Sequence, residues 1–176
     1  GSTIQLSHSK ENIKTYEQYQ NQHGKAHYPL ARILVATNAV TGVCERPSYA
    51  PYSGENAAGE LKLSEQLLPR LEKGAVVIGD RYFGCCRFVE TAVKSGLNVI
   101  CRLKERDVKR FKGSLAGASG EIDIDWESRR SKTGIFYSAK GRLLWHTIKK
   151  KGFRPIQLIL FTTLSLPLKK IVELYG

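Results

Sequence analysis

Asp80 is the residue best placed to do chemistry, because it closes a short apolar run, AVVI at 75–78, followed by Gly79. A β-branched run of that length predicts a strand buried on both faces in the centre of a sheet. A carboxylate at the carboxyl end of such a strand faces the crevice in which α/β sheets hold ligands. Asp80 is also the only aspartate before residue 107. Its other possible role is local, capping the turn or helix that follows. One carboxylate does not make a phosphoryl-transfer site, since two divalent ions about 4 Å apart need several carboxylates from different elements.

The remaining acids and metal-ligand types supply no such set. Glu121, Asp123 and Asp125 alternate with Ile122, Ile124 and Trp126, so strand geometry sets the acids about 7 Å apart along one solvated face. His23 and His27 have a ligand-like spacing but no second pair follows at a suitable distance, and they read as part of a polar loop. Cys44, Cys85, Cys86 and Cys101 form no CxxC or framework pattern. They are expected to be buried thiols of a reducing cytoplasm.

Basic residues are in excess, 28 Lys and Arg against 16 Asp and Glu, with a pI near 9.7. That balance favours a polyanionic partner such as nucleic acid. The excess is uneven: residues 98–154 hold 15 basic and 6 acidic side chains, nine of the net surplus of twelve. The concentration suggests either a separate lobe that tracks a phosphate backbone or a solvated surface. Within it, Arg102 and Lys104 alternate out of a strand end. Lys149, Lys150, Lys151 and Arg154 flank a glycine-containing turn, where they could follow a backbone or keep an edge strand soluble. Trp126 and Trp145 could stack on an unpaired base or belong to the core.

The elements that position these residues follow from period and punctuation. Residues 3–28 are polar and indistinct apart from a turn at 21–24. The runs 31–38 and 43–51 predict an antiparallel hairpin about a turn at 40–42. An amphipathic helix is expected over 57–71, a helix over 83–95 stopped by Gly96, and a strand over 98–103 parallel to that of 75–78. Residues 105–154 break into short alternating pieces at 121–126, 134–139 and 142–148, an all-β insertion. The strand 155–163 then returns to the core, and Pro167 opens a last helix. The division is therefore a core part over 1–104, a basic β-rich insertion over 105–154, and a core strand with the start of a helix over 155–176. No apolar run approaches the roughly 20 residues a bilayer helix needs and no signal peptide is expected, so the chain reads as soluble.

Taken in order, Gly1-Ser2-Thr3, ENIK at 11–14, Asp80-Arg81-Tyr82-Phe83, Arg102-Leu103-Lys104 and the closing IVELYG resemble the IS4-type DDE transposases. The resemblance spans essentially the whole chain. It implies an RNase H-like α/β fold, a mixed sheet flanked by helices with an all-β insertion before the last helix, in which the first strand, the fourth strand and the last helix each bring an acidic residue to one site. It makes Asp80 the second of three catalytic, metal-binding carboxylates. Gly1 would directly follow the first, and Tyr175 would open the motif that carries the third, so both others would lie outside this chain; Gly1-Ser2 could also be a cloning scar. It further implies two Mg²⁺ (or Mn²⁺) ions in the intact enzyme, Arg81, Arg102 and Lys104 near DNA phosphate, and Tyr82 and Tyr175 as structural motif residues. The implied function is DNA strand cleavage and transfer between transposon ends and target, by a bacterial, cytoplasmic, nucleoid-associated enzyme that is a homodimer on its DNA. A nuclease of the same fold, or a noncatalytic nucleic-acid-binding domain on it, remains the alternative.

Overall fold

A computed structural model describes residues 1–104, 107–108, 115–129, 134–149 and 151–176. It resolves into two compact units, Gly1–Leu71 and Glu72–Gly176, a division well before residue 104, where the sequence placed the end of the first core part.

In the first unit, β1 (Ser2–Gln5), β4 (Leu30–Leu34) and β5 (Ser48–Pro51) form an antiparallel sheet in the order β1-β4-β5. The expected hairpin is present with shorter strands. Its turn is held by Asn38, whose Oδ1 accepts the amides of Val40 (2.9 Å) and Thr41 (3.0 Å). Helix α2 (Glu60–Leu67), extended by a 3-10 turn at Leu68–Arg70, packs on β4 and β5 through Leu63, Leu67 and Leu68. The polar N-terminal stretch carries structure the sequence did not announce. Helix α1 (Lys10–Tyr16) starts where Ser9 Oγ accepts the Asn12 amide at 3.1 Å, and β2 (Gln20–Asn21) pairs with β3 (Gly24–Lys25) across the expected turn. Helix α1 buries no residue, so it has no apolar stripe to read.

The second unit is mixed α/β. Strands β6 (Val76–Gly79), β7 (Asn98–Arg102), β8 (Ser119–Arg129), β9 (Phe136–Ile148) and β10 (Ile156–Thr162) lie in the order β6-β7-β10-β9-β8, with β6 and β7 parallel and the rest antiparallel. Helix α3 (Cys86–Lys94) crosses between β6 and β7, as expected, but begins later than residue 83 because 80–85 form turns. Its buried Cys86, Phe88, Val89 and Ala92 cover one face of the sheet, where Cys101, Trp126, Leu143, Trp145 and Phe161 point. Helix α4 (Leu168–Tyr175) covers the other, with Ile171 packed among Ile100, Leu144, Leu158 and Leu160.

Two expectations are corrected here, and of the two readings of the tryptophans the core one holds. Strand β6 is not central: among the described residues β7 is its one neighbour in this sheet, and Val76 and Ile78, on the same face as Ile100 but beyond the reach of α4, are 42% and 44% exposed. An apolar run reports that a strand is attractive to neighbours, not how many it has, which depends on distant parts of the chain. The β-rich insertion is not a lobe apart from the core, since β8 and β9 extend the same sheet, and the pieces at 134–139 and 142–148 are one thirteen-residue strand. Trp126 and Trp145 are core residues, each 4% exposed; Trp126 packs on Phe161 at 5.2 Å, and Trp145 Nε1 donates to the Ala116 carbonyl at 3.2 Å. Neither presents a ring to a base. The acidic alternation on β8 follows its expected pattern, with Glu121, Asp123 and Asp125 exposed and Ile124 and Trp126 buried. Among the described residues no helix is long and apolar enough to cross a membrane.

Candidate functional site

Strand direction gathers the candidate residues at one end of the five-stranded sheet. Because β6 and β7 are parallel, Asp80 and Arg102 leave the sheet together. Strand β10 runs against β7, so α4, which follows β10, runs back along β7 and delivers Tyr175 to the same end. For the same reason the chain leaves β7 towards Lys104, returns into β8 at Ser119, and turns between β9 and β10 all at this end.

The turn after β6 is built by local chemistry. Asp80 is exposed, and its Oδ1 accepts the Tyr82 amide at 2.8 Å, the side-chain turn that aspartate forms readily two residues ahead of its own backbone. The local role weighed for Asp80 is present, since one oxygen holds the turn, and the exposed side chain stands at the strand's carboxyl end. The turn packs through aromatic contacts, Tyr82 edge-on to Phe83 at 5.4 Å and Phe83 against Phe88 at 4.9 Å. Lys104 Nζ stands 5.9 Å from the Tyr82 ring centroid, at the outer limit of a cation–π contact. Gly84 brings the turn against β7: any Cβ there would run into the Arg102 carbonyl oxygen, so only glycine permits the approach.

Electrostatics tie the closing helix to this turn. Burial pushes the Tyr175 phenol above its ordinary value; the Arg102 guanidinium pulls the other way, Asp80 and Cys101 push it further up, and Arg81 pulls it down. Tyr175 thus lies close enough to Arg102, Asp80 and Arg81 to feel their charges. Arg102 lies on the sheet face that α4 covers, opposite Leu160 in β10, and is half-buried. Arg81 is exposed. Two thiols line the same region: burial drives Cys101 far upward, and burial raises Cys85 against the pull of the Phe88 amide and Arg87. Cys86 and Cys101 are buried as expected, whereas Cys85 is only half-buried and Cys44, beside the turn at 40–42, is exposed.

The structure brings together Asp80, Arg81, Tyr82, Arg102, Lys104 and Tyr175. Lys149, Lys151 and Arg154 are exposed in the β9–β10 turn, where Gly152 has φ +84°, at the same end but further out. Lys150 lies outside the described residues. Among the described residues the region offers exposed Asp80 after β6, half-buried Asp107 near Cys85, and a set of cations, an arrangement suited to holding a phosphodiester rather than to cleaving it. Among the described residues no three His, Cys, Asp or Glu side chains are grouped to hold a metal ion. Two divalent ions therefore do not fit on these residues alone. His23 stands beside Gln22, at 3.1 Å between Nε2 atoms, and His27 stacks on His8 at 4.4 Å, as members of a polar loop.

No protein-family model matches the chain. No curated protein matches it either.

Residues that sequence reasoning passed over include Gly84 and Arg142. Arg142 fixes the loop into α4: its Nη1 donates to the carbonyls of Leu164 (3.0 Å) and Leu166 (2.7 Å), and its Nη2 pairs with Glu121. A lone glycine and a lone arginine carry no pattern; only the fold shows what each touches.

Proposed function

We propose that this chain is the nucleic-acid-handling part of a DNA strand-transferring enzyme on an RNase H-like scaffold, with Asp80 contributing one metal-binding carboxylate and Arg81, Arg102 and Lys104 holding the phosphate beside it. The observation that carries this is the convergence of Asp80, Arg102 and Tyr175 at one sheet end from three separate elements. A parallel β6–α3–β7 unit and a closing helix that runs back towards Asp80 are two of the features such a scaffold has; the third, a first strand in the same sheet, is not met, because β1 belongs to the three-stranded sheet. In that scheme Asp80 would supply one of several carboxylates needed to hold a cation, while the guanidinium and ammonium groups of Arg81, Arg102 and Lys104 bind and orient the phosphodiester. Tyr175 braces the end of α4 against the Asp80 turn. Two-metal transfer of a phosphoryl group requires further carboxylates from a longer polypeptide, and the 176-residue chain alone should bind DNA without cutting it.

A second reading, a noncatalytic nucleic-acid-binding domain, is favoured by the hydrogen bond that already occupies an Asp80 oxygen. The two separate in a longer polypeptide containing this chain, assayed for Mg²⁺- or Mn²⁺-dependent cleavage and joining of DNA. Strand transfer abolished by Asp80→Ala supports the enzyme, and cleavage without joining assigns a nuclease. DNA binding with no cleavage under either ion supports the noncatalytic domain. Cleavage by the 176-residue chain itself, abolished by Asp80→Ala, would overturn the need for further carboxylates.

A further inference from the structure

Strands β9 and β10 continue past the sheet that supports them. The last β8 partner of β9 is Ser119, opposite His146, and the Ala118 carbonyl accepts the Thr147 amide. On the other side, the last described link from β7 to β10 is the Leu103 amide to the Ile159 carbonyl. From Ile148 to Leu158 the two strands and their turn have no further strand on either side among the described residues, and form a two-stranded ribbon leading away from the Asp80 end. Ile148 and Ile156 face each other across it, 44% and 54% exposed, and Phe153 at its tip is 69% exposed. Lys149, Lys151 and Arg154 are exposed among them. The whole stretch 128–172 contains eleven basic residues and no acidic one.

Lysines on a projecting ribbon explain its solubility, but not the exposure of Ile148 and Ile156 beside them, nor that of Phe153 at the tip. A duplex satisfies both, offering phosphates to the cations and sugar and base edges to the apolar groups. Proteins that insert Phe or Ile between base steps combine these features. Ile156 lies four residues beyond Leu160, the partner of Arg102. At about 3.3 Å per residue that is about 13 Å, or about four nucleotide steps along one strand.

We propose that the β9–β10 ribbon is an arm that grips duplex DNA about four base pairs from the phosphate held at the Asp80 end. Phe153 wedges at a base step, the Ile148–Ile156 pair lies against sugars and base edges, and Lys149, Lys151 and Arg154 meet flanking phosphates. The position of the arm along the duplex rests on the phosphate site proposed above; its contact with DNA does not.

The test uses the 176-residue chain, a fluorescent duplex with 2-aminopurine at a central step, and salt titrations, with circular dichroism confirming that each variant folds. Replacing Lys149, Lys151 and Arg154 with Ala should flatten the slope of log affinity against log salt by about 2.7, about 0.9 per lost phosphate contact. Phe153→Ser with Ile156→Thr should leave the slope unchanged, weaken binding about tenfold, and remove the 2-aminopurine signal of an opened base step. An unchanged slope in the first variant together with unchanged affinity in the second overturns the arm. If Arg102→Ala with Lys104→Ala flattens the slope in that case, the phosphate site stands without it. The reverse pattern keeps the arm and removes the phosphate site. Binding to anionic phospholipid vesicles that is tighter than to duplex, and lost with Phe153→Ser, would reassign the arm to a membrane surface.

Discussion

Ile171→Ala should release the closing helix from the candidate site. Helix α4 has eight residues, about 12 Å of helix, too short to persist alone in water. Its one fully buried side chain is Ile171, set among Ile100, Leu144, Leu158 and Leu160. Truncating such a residue to Ala costs about 2–5 kcal/mol, part lost transfer free energy and part cavity. Leu164, Leu168, Val172 and Tyr175 keep a partial hold. With a loss of about 3 kcal/mol, a chain of this length should melt about 6–12 °C lower. Tyr175 supplies the local readout: burial is the leading cause of its raised phenol, so loosening the helix should bring its titration, followed by NMR, back towards the ordinary tyrosine value. Amides of 171–175 should exchange faster at the same time. A lower melting temperature with Tyr175 titrating unchanged would refute the idea that Ile171 holds this helix against the Asp80 turn.

Two further outcomes are expected. Gly84→Ala should force the 80–85 turn off the Arg102 carbonyl, costing about 1–3 kcal/mol and weakening duplex binding, whereas the same substitution at Gly74, which has open space but a positive φ, should cost stability without changing binding; equal DNA affinity for both variants would show that the close approach has no bearing on the site. Glu90 resists burial, which pushes its carboxyl up, because the Ser138 amide (3.0 Å) and Lys94 (3.0 Å) hold it below the ordinary value, so the stability it adds is complete above its unfolded value and is lost as pH falls through the lower folded one. Acid unfolding followed by near-ultraviolet circular dichroism should therefore lose part of its pH dependence below about 4.5 in Glu90→Gln, and an identical acid profile would assign the α3–β9 link to packing alone.

Much of the second unit was legible from residues 75–103, where short β-branched strands flank a helix stopped by Gly96. That pattern sets a parallel β6–α3–β7 unit through local periods and one handed connection. What it could not show was that β6 would be an edge strand, since strand neighbours are chosen by long-range pairing and Val76 and Ile78 look the same on an edge or in a centre. The length of β9 was hidden by Gly141, which resembles a turn signal; any Cβ there would strike Phe161 and the Thr162 carbonyl, so the glycine serves packing within a strand. At the candidate site, Asp80 stood out because a carboxylate after an apolar strand is a strong local signal. Gly84 and Arg142 did not, because each matters only through residues distant in sequence; of the β9–β10 ribbon the basic turn was legible, and its extension past β7 and β8 was not.

The central claim, that phosphate is held at the Asp80 end of the five-stranded sheet, is tested most directly by titrating isotopically labelled 176-residue chain with a short DNA duplex at low salt and following backbone amide shifts. The shifts are predicted to concentrate at 80–85, 102–104 and 175, and to weaken with added salt. Shifts confined to the opposite end of the sheet, at 134–136 and 163–166, or to residues 1–71, would contradict it.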